Sequence, residues 1–241
     1  METILAPASL IFSPHNLWFW IFTSLLFSAL VNSLTWRLGP RASQTIPRPL
    51  RWALVLLREG GRFLYFVGLP YLALLNGLIP AAQAGLLNQD WLRDLTLALP
   101  LGAGAFLMLL FLRVLLLWRD KTLPSGPPAH FGVALRESAY QEIHWTFYRI
   151  APLLAVDDPA RGMALGLGIV ALEAWLNPAW RERWRNPALA LAALRTSALA
   201  VTMVVVFGII GNLWLTLGLH VIVERASGWA WQRIAGASGQ A

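Results

Sequence analysis

Four stretches of this chain carry no Asp, Glu, Lys or Arg at all: residues 3–36, 63–89, 95–112 and 196–223. A helix of roughly 20 apolar residues crosses the ~30 Å hydrocarbon core of a bilayer. A soluble core of this size has no need of four such windows. The runs are continuous rather than alternating, which excludes a β-barrel. The expected fold is therefore all-α, a polytopic transmembrane helical bundle of about 6–7 spans.

Composition agrees. The chain of 241 residues is 57% hydrophobic and 13% charged, with a mean hydropathy of +0.58. No basic segment precedes the first apolar run, so that run reads as a retained span rather than a cleaved signal. The absence of cysteine excludes disulfides and thiolate metal sites. Of the 19 basic residues 18 are Arg. In a membrane protein a net charge of +7 reflects basic cytoplasmic loops, not nucleic-acid binding. The Arg, Ala, Leu and Gly bias fits a bacterial source.

The expected spans are 16–36, 63–79, 95–118, 130–156 and 162–180, with 187–225 split in two at "GIIGN" (208–212), where Gly and Asn favour a turn. Basic loops around residues 37–62, 113–121 and 181–185 alternate with acidic ones around 88–94 and 157–158. The positive-inside rule then puts the N-terminus outside and the C-terminus in the cytoplasm, in a bacterial plasma membrane. Four segments follow. Residues 1–122 form an N-terminal part with three spans and an interfacial amphipathic helix at 48–62. Residues 123–129 are a Pro/Gly-rich linker, 130–226 a helical core and 227–241 a tail. The expected partners are the lipid bilayer and a membrane protein or peptide substrate, with no nucleic acid.

Ionisable groups inside spans are costly, so they are functional or paired. The fourth span carries Arg136, Glu137, Glu142, His144 and Arg149. At 100° per residue Glu142 and Arg149 fall about 20° apart, while Glu142 and His144 fall about 200° apart. One helix therefore shows polar groups on two sides. Glu173 lies in the fifth span, with Arg195 or His220 as expected partners. In the seventh, His220 and Glu224 share a face one turn apart, a spacing that suits two metal ligands or a histidine with its orienting carboxylate. A satisfied structural network is the competing reading of every one of these groups. A proton-coupled carrier using Glu142 and Glu173 is a further one.

"GIIGNLWLTLGLHVIVE" (208–224) and "YQEIHWTFYR" (140–149) together resemble the CAAX-protease and bacteriocin-processing (CPBP, ABI) family of intramembrane proteases. The resemblance covers about residues 130–225. It implies a CPBP-like core and an intramembrane endopeptidase, with Glu142, Arg149 and His220 as catalytic residues. Glu142 would activate water and Arg149 would hold it ionised. The resemblance also implies a divalent metal such as zinc, with His220, Glu224, His144 and Glu173 as its candidate ligands. The chain departs from the family pattern in three places: Gln141 stands for one of the paired glutamates, the Glu-to-Arg spacing is seven, and the middle Phe-x-x-x-His motif is absent. A CPBP-fold scaffold, partner subunit or immunity-type protein without catalysis is the alternative.

Overall fold

A computed structural model describes residues 15–45, 48–119, 130–156 and 158–238. Among these residues the chain is helical, with no strand. The helices are α1 (Leu17–Thr45), α2 (Arg48–Phe63), α3 (Leu69–Leu75), α4 (Trp91–Arg119), α5 (Phe131–Ala155), α6 (Pro159–Leu176), α7 (Pro178–Arg185), α8 (Pro187–Ile210) and α9 (Leu213–Ser238). The linker expected at 123–129 lies outside the described residues. The last helix runs through to Ser238, well into the stretch read as a tail.

Three helices are long and apolar enough to cross a membrane: Leu17–Arg37, Trp91–Leu115 and Leu189–Ile210. A fourth span is counted if α6 and α7, bent by 85° at their junction, are taken together. The protein is thus an all-α membrane protein with three to four spans of this kind among the described residues, not the 6–7 expected. The shortfall has local causes. The expected second span, 63–79, is a π-helical turn (Leu64–Gly68) followed by the seven residues of α3. It ends where Gly77 takes φ +69°. α5 carries four charged side chains between Arg136 and Arg149, and α9 carries Glu224, Arg225 and Arg233.

The described residues divide into two compact units. The first takes residues up to Ala81 together with Thr146–Arg181. Within it α6 approaches the second half of α5 closely at Gly162 and Gly166. A Cβ on Gly166 would come within 2.8 Å of the Arg149 Cα, and one on Gly162 within 2.9 Å of the Leu153 Cα. This is small-residue packing at i, i+4, the usual way for two membrane helices to bring their backbones close. Asp158 caps α6, accepting from the amides of Ala160 and Arg161.

The second unit takes Ala82–Trp145 and Glu182–Ala241. Ala98, Val206 and Ile210 form its buried apolar centre, with Leu97, Leu101, Leu215 and Leu219 packed around them. The break expected at 208–212 is found between α8 and α9. Gly211 supplies φ +69°, and Asn212 then caps α9, its Oδ1 accepting from the amides of Trp214 and Leu215. The Asn212 amide nitrogen donates to Asp94 at 2.9 Å, so a carboxylate near the start of α4 is tied to the start of α9. Gly85 completes this corner. Its carbonyl accepts from Leu213 N at 3.0 Å, and its φ is +70°.

A Cβ on Gly85 would meet Gly211 O at 2.6 Å and Leu213 N at 2.7 Å, both backbone atoms. Gly85→Ala should therefore lower stability by about 2–3 kcal/mol, from left-handed strain plus a displaced hydrogen bond. Reversible unfolding in mixed detergent micelles checks the value. Gly104→Ala, where no atom lies within 4 Å, is the neutral control.

Candidate functional site

The first half of α5 and the middle of α9 each bring one ionisable group to the interior of the second unit. His220 Nδ1 lies 2.8 Å from Glu142 Oε1, and neither side chain has any exposed surface. With Glu142 ionised, Nδ1–H donates to the carboxylate and the neutral imidazole carries its lone pair on Nε2. Nε2 is itself buried and meets no protein hydrogen-bond partner among the described residues. Trp145, one turn after Glu142 on α5, stacks on the imidazole with ring centroids 5.7 Å apart and planes 19° apart. The imidazole is thus held at its edge by a carboxylate and at its face by an indole.

Such an arrangement has a definite chemistry. A carboxylate on Nδ1 fixes the tautomer and steadies the imidazolium, which leaves Nε2 able to take a proton. The same pairing, fully desolvated, also serves as a purely internal cross-link.

Arg149, expected beside Glu142, is fully buried, and its guanidinium donates to Thr146 Oγ1 at 2.7 Å. His144 is buried two residues beyond Glu142, on another side of α5. Glu224, one turn beyond His220, pairs with Arg195 at 3.4 Å and accepts from Ser138 Oγ at 3.4 Å. Glu173 accepts from Ser28 Oγ at 3.1 Å and from the Tyr65 hydroxyl. Of its expected partners, Arg195 meets Glu224 and His220 meets Glu142.

Glu173 belongs to a chain of hydroxyl groups in the first unit that sequence reasoning missed. Ser24 Oγ is 2.9 Å from the Tyr148 hydroxyl, which is 3.2 Å from that of Tyr65. Asn32 donates to Ser28 at 3.0 Å. The available signal was the Ser24, Ser28, Asn32 series, a polar line at i, i+4 along an otherwise apolar helix.

A zinc site requires about three protein ligands. Among the described residues no three His, Asp or Glu side chains come together. The dyad offers one ring nitrogen and one carboxylate, and this donor set does not fit a three-ligand site. Compared with family models, curated proteins and solved structures, the chain matches none.

Proposed function

We propose that this protein is a divergent CPBP-type endopeptidase that hydrolyses a peptide bond in or at the membrane, with His220 as general base. The observation that carries the reading is His220 Nε2: a buried nitrogen without a protein partner on an imidazole whose other nitrogen is held by Glu142. In this mechanism Nε2 removes a proton from water as its oxygen bonds to the peptide carbonyl carbon. Glu142 stabilises the resulting imidazolium. The proton then passes to the amide nitrogen as the C–N bond breaks. The roles are shifted from those the family resemblance implies, where Glu142 itself activates the water. The protein sits in a bacterial plasma membrane, N-terminus outside, with its Arg-rich segments on the cytoplasmic side.

The test is to reconstitute the protein in vesicles, add membrane proteins from the host and sequence the new N-termini. Wild type should generate a set of termini that Glu142→Gln does not. The second reading, a non-catalytic membrane scaffold or partner subunit, is favoured by the complete burial of both dyad side chains. A correctly folded wild-type protein that yields no new termini supports it. Metal content, measured beside His220→Ala, checks the zinc expectation: stoichiometric zinc that disappears in the variant would replace the metal-free mechanism.

A further inference from the structure

A second charged cluster lies one turn along α9 from the dyad, and neither reading of the dyad uses it. Arg113 on α4 is buried, at 6% exposure. Its guanidinium donates to the Ser227 carbonyl at 2.7 Å and lies 5.8 Å from the Trp231 ring centroid. It pairs with no carboxylate among the described residues. Arg195 on α8 pairs with Glu224 at 3.4 Å, and the other oxygen of Glu224 accepts from Ser138. The two guanidinium groups are thus held one turn apart along α9, Arg195 by the Glu224 carboxylate and Arg113 by the Ser227 carbonyl.

An uncompensated cation in a desolvated setting is costly unless an anion completes it. A donor for that anion is present, since Arg195 Nε is buried and has no hydrogen-bond partner. The cluster is also reachable, because the Arg195 and Glu224 side chains keep 36% and 25% exposure. Its depth follows from the helices. Arg113 is near the C-terminal end of the apolar stretch Trp91–Leu115, and Arg195 near the N-terminal end of Leu189–Ile210. Aromatic rings accompany the arginines: Trp231 beside Arg113 at 5.8 Å, and Phe131 beside Arg225 at 5.7 Å. Arginine with aromatic side chains at span ends marks the headgroup region.

We infer that Arg113 and Arg195 form a binding site for the phosphate of an anionic phospholipid, held at headgroup depth against the second unit. Arg195 supplies the planar, forked donor that matches a phosphate oxygen pair, and Arg113 supplies a fixed charge behind it. Glu224 occupies part of the same donor set, so it competes with the ligand and sets its affinity. The site is independent of whether the dyad is catalytic.

The experiment uses purified, delipidated protein in neutral detergent, with thermal unfolding followed against added phosphatidylglycerol, phosphatidylcholine or inorganic phosphate. Phosphatidylglycerol should half-saturate its stabilising effect at a concentration about tenfold lower than phosphatidylcholine. Inorganic phosphate should give no comparable effect. Arg195→Gln should bring phosphatidylglycerol to the phosphatidylcholine level, Arg195→Lys should fall between, and Glu224→Gln should bind phosphatidylglycerol more tightly than wild type. The Glu224→Gln gain separates ligand binding from a merely structural ion pair, and it remains readable if Arg195→Gln fails to fold. Equal response to the two lipids, or full selectivity retained in Arg195→Gln, overturns the site. Equal protection by inorganic phosphate overturns the lipid as its occupant.

Discussion

His220→Ala should cost about 3–5 kcal/mol of stability, because it removes one half of a fully buried, hydrogen-bonded pair of ionisable groups. Glu142 has no exposed surface and a direct 2.8 Å bond to the imidazole. Glu142→Gln should cost less, about 1–3 kcal/mol, since a neutral amide still meets the ring nitrogen. The double variant should lie well short of the summed losses, because once the charge is gone the missing imidazole leaves no ion behind. Reversible unfolding of all four proteins in mixed micelles gives the coupling energy. Additive losses would mean that the two groups do not act as a pair. The same variant bears on chemistry: loss of a positioned general base lowers hydrolysis by about 10²–10⁴-fold, read as the rate at which new N-termini appear.

Gly166→Leu should have a comparable or larger effect on the first unit. A Cβ alone would sit 2.8 Å from the Arg149 Cα, 3.1 Å from its Cγ and 3.2 Å from the Tyr148 carbonyl oxygen. The nearest of these is backbone and cannot rotate aside, so α6 must move off α5. Losing this packing and overfilling the contact should together cost about 3–5 kcal/mol. The displacement has a local reporter. Glu173 on α6 receives the Tyr65 and Ser28 hydroxyls, and Tyr65 also meets Tyr148 on α5. Tyrosine ultraviolet absorbance should therefore shift along with stability. Gly168→Leu, whose Cβ meets nothing within 4 Å, should leave both unchanged.

These residues show how far the sequence carried. The break at Gly211–Asn212 was legible because turn chemistry is local: a glycine for the left-handed backbone, then an asparagine to cap. The α2 helix was legible from its alternation of apolar and Arg positions. Span count was not, since an apolar window measures composition, while the run at 63–79 is interrupted by a π-turn and ends at Gly77. At the site, helical geometry could align Glu142 only with groups on its own helix, such as Arg149. His220, which also bonds Glu142, is 78 residues away, a distance at which single-sequence periodicity says nothing. The Arg195–Glu224 pair was out of reach for the same reason. The Ser24, Ser28, Asn32 line was visible as a polar stripe, but its link to Tyr65 and Glu173 needs residues distant in sequence.

The order in which the dyad is made has a consequence for biosynthesis. α5 leaves the ribosome with Glu142 well before α9 brings His220, 78 residues later. At roughly 5–20 residues per second, that delay is about 4–16 seconds. Asp94 waits longer for Asn212, 118 residues on. During this interval Glu142 lacks the imidazole it meets in the folded chain, so truncation before His220 should leave a less stable protein, read as faster degradation in cells than the full chain.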